Sequence, residues 1–384
     1  MSDTFFPATR SLYIHWPFCP YKCHFCPFVA IASHDQFMER YNKALIKEIQ
    51  TFCLQYPSKL ALDTIFLGGG TPSTWPDTLL LDTFGTLNNV LVFEEDIEIT
   101  IEVNPGTVKK PQLMLWKSIG INRLSIGVQS LKDAVLNNLN RKQSAQDVFW
   151  VLQEASALFD NISVDLILGL PGVSVDEWKD LLAQVVTWPI KHVSIYFLTV
   201  HEETPLYFRV QKKEICLPPD DSLVELYQWS IDFLQQHGFM QYEISNFAQG
   251  GYESRHNKVY WERKAYKAFG LGACSFDGQS RYQNQKNLMK YMHDIEHDEN
   301  VTIFSETLTQ EQIYLEKIML GLRKKEGIDL HDIMQPLDSA QKEKIVGTIE
   351  LLQENNFLKH ENNRIVLTPM GLAVQNDIAI RLSL

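Results

Sequence analysis

The sequence predicts an α/β protein organised on a parallel sheet, and three observations carry that reading. Six short apolar runs recur between Ser11 and Leu198. Each is followed by sequence whose apolar residues fall at helical spacing. The chain of 384 residues, 45% hydrophobic, is long enough for one large domain and an appendage.

In order, the strand-like runs are Ser11 to His15, Thr64 to Leu67, Ile97 to Val103, Arg123 to Val128, Ile162 to Leu168 and Val193 to Leu198. Helix-like stretches between them include Gln36 to Phe52, Lys109 to Ser118, Ala145 to Leu158 and Val175 to Val186. Such units imply parallel strands joined by right-handed crossovers, either as an open doubly wound sheet or as a curled partial barrel. Periodicity does not separate the two. In both, the reactive site lies beyond the C-terminal ends of the strands.

Residues 1–230 are expected to form this core, 231–308 an extension of it, and 309–384 a separate C-terminal module. The module opens with the capping box Thr309-x-x-Gln312 and a helix to Leu322. A helix over Ser339 to Leu352 follows, then Phe357 to His360 and Ile365 to Leu367 around the hairpin signal Asn362-Asn363. Thr368-Pro369 starts a last helix. That order is winged-helix-like, but nine Lys or Arg against eleven Asp or Glu leave it without the basic footprint of a nucleic-acid reader. A packing or lid role is expected.

The formal net charge of -12 argues against non-specific binding to nucleic acid or an anionic membrane, both of which need basic patches. No charged-then-apolar leader follows Met1, and no apolar run approaches the roughly 18 residues that span a bilayer. The expectation is a cytoplasmic protein without a stable membrane anchor.

Chemistry concentrates just past the first strand, where Cys19, Cys23 and Cys26 are spaced C-x3-C-x2-C. Thiols this close gain little from a disulfide, but they can converge on a metal. Zinc in a closed tetrahedral site would want a fourth Cys or His, usually as two separated pairs, and His24 is expected to point away. A four-iron cluster needs a ligand on each iron, so three cysteines leave one iron open to a small molecule. The spacing, with Phe25 before the last cysteine, resembles the radical S-adenosylmethionine (SAM) superfamily, whose open iron binds SAM. Cys53, Cys216 and Cys274 are scattered and read as free thiols.

Further candidates follow the next strands. Gly68-Gly69-Gly70-Thr71 lets backbone approach a ligand that a Cβ would exclude. Glu102 closes the third strand, Gln129 the fourth, Arg141 approaches a helix, and Asp165 lies within the fifth strand. Each alone also fits a solvated or satisfied polar residue. Their placement on successive strands is what singles them out.

Taken together, Tyr13-Ile-His-Trp-Pro with the cysteine loop, Gly68 to Pro72, Glu102-Val-Asn-Pro, Arg123 to Ser130, Asp165 to Gly172, Gln241 to Phe247 and Arg255-His-Asn-Lys-Val-Tyr-Trp261 resemble the oxygen-independent coproporphyrinogen oxidase family of radical SAM proteins. The resemblance covers essentially the whole chain. It implies a partial (β/α)6 barrel, Cys19, Cys23 and Cys26 as ligands of a [4Fe-4S] cluster, and Tyr13, Phe25, Gly69, Gly70, Thr71, Glu102, Gln129, Arg141 and Asp165 around SAM. Within the family the chain is most similar to the haem chaperone branch. The oxidases carry a fourth cysteine two residues after the third, where this chain has Phe28, and a longer N-terminal extension than the 18 residues before Cys19. His-Asn-x-x-Tyr-Trp, His256 to Trp261, is a chaperone hallmark, and its His256, on a loop after Gly250-Gly251, is implied as a haem ligand.

The branch implies haem as cargo and a haem-acceptor protein. The oxidase branch implies decarboxylation of coproporphyrinogen III to protoporphyrinogen IX by a 5′-deoxyadenosyl radical. An electron donor such as flavodoxin or ferredoxin is implied in either case. Radical modification of tRNA is disfavoured by the missing basic module. Three residues depart from the chaperone pattern: Gln143 and Phe276 stand where histidine is usual, and His201 where glutamate is.

Overall fold

Ser11–Trp16 buries five of its six residues, which is the pattern of a strand covered on both faces. In the computed structural model, which describes Phe6 and residues 9–383, this run is strand β1. It is followed by β2 (Leu60–Gly69), β3 (Leu91–Val103), β4 (Arg123–Gln129), β5 (Asn161–Leu168) and β6 (His192–Phe197), each parallel to the one before. Three shorter strands complete a nine-stranded sheet: β7 (Met240–Glu243), β8 (Asn246–Ala248) and β9 (Lys267–Phe269). β8 runs antiparallel to β6 and to β7, and β9 lies parallel to β1 at the other edge.

The strand order separates the two architectures that periodicity left open. A doubly wound sheet reverses its order at a switch point, whereas β1 to β6 lie side by side in chain order. One cavity is lined by Tyr13, Phe66, Glu102, Arg123, Asp165 and Ser194, one residue from each of the six strands. A flat sheet cannot enclose it. The sheet is therefore curled into a partial barrel, with helices packed outside.

Those helices form where the sequence supplies a cap and an apolar stripe. Val175–Val185 begins at Ser174, whose hydroxyl and Glu177 make a reciprocal capping box, and buries Trp178, Leu181, Leu182 and Val185 against the sheet. Two long helices, Asp77–Val90 and Asp220–Gln236, lie outside the stretches singled out from periodicity. β3 also begins six residues before the expected Ile97. Its early part pairs with Leu60 to Leu62 across a bulge, and the acidic run Glu94-Glu95-Asp96 hides that strand in the sequence. Arg10 bridges Asp63 and Glu94 there.

The segment after Gly250-Gly251 differs from the expected loop. Arg255–Trp261 is a helix, capped by the Ser254 hydroxyl and by the Glu98 carboxylate, which accepts from the Arg255 and His256 N–H groups. It lies against β2 and carries His256 fully buried.

From Tyr314 to Leu382 the buried apolar residues form a second cluster, apart from that of the barrel. The Thr309 capping box and the helices Gln310–Arg323 and Ser339–Glu354 are present. Asn362 and Asn363 both take positive φ between Leu358–Glu361 and Arg364–Leu367, so the wing forms at the expected turn. A third strand, Ile328–Asp329, joins it. The module is fastened to the barrel by Glu316, which pairs with Arg263 and Arg281, and by backbone bonds from Ile244 to Arg323 and from Lys325 to Tyr242.

Candidate functional site

β1 ends at Trp16, and the chain turns at Pro17 into the cysteine loop. Phe18–Cys19 pairs in parallel with Ile31–Ala32, closing the loop at its base. Trp16 stacks on Trp75 at 4.3 Å and Phe18 stands edge-on to Tyr41 at 5.5 Å. Pairs of this kind add roughly 0.5–1.5 kcal/mol beyond their area burial, so the root of the loop is rigid. Its tip is tied as well: Asn140 Nδ2 donates to the Lys22 carbonyl and the His24 N–H to the Leu139 carbonyl, both at 2.9 Å. His24 turns its Nδ1 to the Arg209 guanidinium, 3.2 Å away.

Cys19 and Cys23 are buried and Cys26 half-buried, all three as free thiols. Burial first, then the charges of Cys26 and Cys23, pushes the Cys19 thiol up to about 11, against a hydrogen bond with Thr71 Oγ1 at 3.1 Å. Arg141 Nη1 lies 3.9 Å from Cys23 Sγ. A cationic metal would offset that burial and favour the Cys19 thiolate. A closed tetrahedral zinc wants a fourth protein donor, and His24 is turned to Arg209; a four-iron cube takes one thiolate on each of three irons and leaves the fourth open. The donor set fits the cluster.

The glycines press on this loop from β2. A Cβ on Gly70 would lie 2.6 Å from the Pro17 carbonyl oxygen, and one on Gly69, at φ +120°, 2.8 Å from the His15 ring. Gly70 N–H donates to Trp16 and Thr71 N–H to Phe18. Close approach is thus required by the protein's own backbone, where the sequence reading looked to a ligand.

Below the loop, two cavities of about 310 and about 230 Å³ share Tyr13, Glu102 and Tyr260 as walls. The larger opens by Phe28, His15, Gly69 and Cys274; the smaller runs into the barrel between Arg123, Asp165 and His256. Glu102 accepts from the Gly69 N–H at 3.0 Å, and burial, reinforced by Asp165, pushes its carboxyl up to about 8. Asp165 is raised by burial too, against the hydroxyls of Ser194 and Ser125. Tyr13 hydrogen-bonds His15 Nδ1, whose Nε2 meets the Val29 carbonyl, and burial pulls His15 down to about 4. Between pH about 4.5 and about 8 the folded state therefore holds a proton on Glu102 that the unfolded chain releases, so Glu102 makes stability fall as pH rises through that window. Glu102→Gln should remove this decline. In urea unfolding of cluster-free protein at pH 9 the variant should be the more stable, by at most on the order of 4 kcal/mol; at pH 4 the two should match.

The candidates thus gather in two groups. Tyr13, Gly69, Glu102, Asp165 and His256 surround the cavities, while Gly70, Thr71 and Arg141 support the cysteine loop. Gln129, at φ 64°, meets Arg141 over Gly127, where a Cβ would lie 2.9 and 2.8 Å from their nitrogens. Phe25 packs away from the cavities in a small apolar cluster with Leu139, Ile167 and Leu206. Gln143 fixes Arg141, accepting from its Nε at 2.8 Å and donating to the Gly127 and Val128 carbonyls. Phe276 is buried under Arg263, and the His201 carbonyl accepts from Thr204.

His256 is placed differently from the expected exchangeable ligand. Its Nδ1 bonds Thr64 Oγ1 and its Nε2 the Tyr260 hydroxyl, both at 2.8 Å, and burial pulls it down to about 3. Both ring nitrogens are engaged. The cavity is also lined by residues that are not among the sequence candidates: Phe66, Arg123, Ser125, Ser194 and Tyr196. Their signal was available: Arg123 and Ser125 place polar groups at period two within an otherwise apolar, buried strand.

A sheet curled round a carboxylate-bearing lumen, with three free thiols at its mouth, is the arrangement of a radical SAM protein. The radical SAM superfamily model matches residues 13–185, and the model of the HemN C-terminal domain residues 308–374. The chain belongs to the family of the HemW proteins. It is 32% identical to the heme chaperone HemW of Bacillus subtilis over 372 residues, 96% of this chain and 98% of that protein. It is also 37% identical over 268 residues to the mitochondrial radical S-adenosyl methionine domain-containing protein 1 of Mus musculus, covering 69% of this chain and 60% of that one. Coproporphyrinogen III oxidase (HemN) from Escherichia coli superposes with a TM-score of 0.83 at 24% identity, over 97% of this chain and 89% of that one, and shares the fold. Membership of the radical SAM superfamily implies a [4Fe-4S] cluster and SAM. No helix among the described residues is long and apolar enough to cross a membrane.

Proposed function

We propose that this chain is a haem chaperone: it binds haem as cargo and delivers it to an acceptor protein, with a [4Fe-4S] cluster and SAM held at the mouth of the barrel. The observation that carries the reading is the end-to-end likeness to a protein named as a heme chaperone. Cys19, Cys23 and Cys26 would hold the cluster, and Arg141, braced by Gln143 and Gly127, would set a fixed positive charge beside Cys23. Tyr13, Gly69, Glu102, Gln129 and Asp165 would surround SAM. When bound there, cluster and SAM together supply one-electron reductive chemistry. A flavodoxin or ferredoxin would be the electron donor.

Haem would meet apolar surface at Phe28, which is 65% exposed at the rim of the larger cavity. For His256 to reach iron, Tyr260 must release Nε2, since an engaged ring offers no lone pair. Tyr260→Phe frees that nitrogen without changing the ring. In a haem titration of reconstituted protein followed at the Soret band, wild type should saturate with one haem, Tyr260→Phe should bind several-fold more tightly, and His256→Ala should bind more weakly with a shifted band. Unchanged affinity and spectrum in both variants would remove His256 from the haem site. Failure of wild type to bind haem would sink the chaperone reading.

A further inference from the structure

Arg123 is only 2% exposed, inside the barrel on β4. Among the described residues its Nε has no hydrogen-bond partner, and no carboxylate forms an ion pair with the side chain. Buried guanidinium groups are normally paired, because leaving the charge alone in a low-dielectric interior is costly. The residues in register on either side carry orphaned atoms as well: Thr100 Oγ1 on β3 and Asn161 Oδ1 on β5 are buried without partners. Three adjacent strands thus present one unsatisfied polar layer. Water would satisfy the neutral groups of that layer; the guanidinium would keep only the field of Asp165, with which it forms no ion pair among the described residues.

The same arginine lines the smaller cavity, beside Ser125, Ser194 and Tyr260. We infer that Arg123 is the receptor for a ligand carboxylate that enters this cavity, carried by a porphyrin propionate. A carboxylate offers the planar guanidinium two parallel acceptors and the counter-charge it lacks. The protein's own acids are committed elsewhere. Asp165 is held by the hydroxyls of Ser125 and Ser194, and Glu102 by the Gly69 N–H. Burial disfavours the charged form of both, and neither makes an ion pair with Arg123 among the described residues. A cavity of about 230 Å³ admits a side arm rather than a macrocycle. The body of a porphyrin would stay in the adjoining cavity by Phe28, beyond the shared wall of Tyr13, Glu102 and Tyr260.

The inference rests on the haem reading. The test uses full-length reconstituted protein and one matched pair of probes, haem and haem dimethyl ester. Wild type should bind haem tenfold or more tightly than the ester. Arg123→Gln should abolish that preference, and Arg123→Lys, which keeps the charge without the planar fork, should retain part of it. If wild type binds neither probe, the haem reading fails and the inference with it; if it binds both alike, the inference alone is overturned, as it is by a preference that Arg123→Gln leaves intact. Should Arg123→Gln not fold, an undiminished preference in Arg123→Lys overturns it.

Discussion

Replacing Cys19, Cys23 and Cys26 together by alanine should reduce the iron of anaerobically reconstituted protein from about four per chain to near zero. The visible absorption of the cluster and the SAM-dependent change in its reduced EPR spectrum should disappear with it. The fold should survive. The loop is anchored by Trp16, Phe18 and Tyr41 and by the Phe18–Ile31 pairing, none of which involves a sulfur. Far-UV circular dichroism should accordingly match that of cluster-free wild type. Full iron content in the triple variant would mean that the cluster lies elsewhere, and one tightly held zinc in wild type, with no reconstitution, would exclude an iron site.

Gly70→Ala should have nearly as large an effect through a single methyl group. The added Cβ would meet the Pro17 and Phe18 carbonyl oxygens at 2.6 and 2.8 Å. Both are backbone atoms, so no rotamer change relieves the clash. The strain of such overpacking is roughly 1–3 kcal/mol, and it is relieved by moving the first residues of the cysteine loop away from β2. That movement breaks the Gly70 N–H to Trp16 and Thr71 N–H to Phe18 bonds and draws Cys19 from Thr71. The expected result is a folded protein with a melting temperature lower by several degrees and reconstituting less than half of the wild-type iron. Gly85→Ala, in an open helical position with nothing within 4 Å of the new Cβ, should leave the iron content unchanged and raise the melting temperature slightly if at all.

The two glycine sites also mark where sequence stopped being informative. Gly68-Gly69-Gly70 announced a place where backbone comes close to something, but not that the neighbours are the rings of Tyr13 and His15 and the Pro17 carbonyl. Those neighbours belong to β1 and its loop, more than 50 residues back in the chain. The six core strands were legible because parallel strands buried on both faces read as apolar runs; the early part of β3 was not, because it carries surface acids, of which Glu94 pairs with Arg10 and Asp96 with Arg255. Asn362-Asn363 fixed the wing locally, since both residues tolerate positive φ. The surroundings of His256 were illegible for the opposite reason. Its helix is capped by Glu98, 158 residues away, and its ring is held by Thr64, 192 residues away. Sequence named the residue and could not bury it.

As the haem chaperone proposed above, the protein should carry haem and should not decarboxylate a porphyrinogen. One anaerobic preparation, with its cluster reconstituted, tests it when divided between two reactions. The first receives coproporphyrinogen III, SAM and a low-potential reductant, and is followed for protoporphyrinogen IX; the second is loaded with haem and mixed with an apo-haemoprotein trap. A haem chaperone should give no decarboxylated product above the cluster-free control, and should transfer its bound haem to the trap. Protoporphyrinogen IX formed over many turnovers, with no haem retained or transferred, would contradict it.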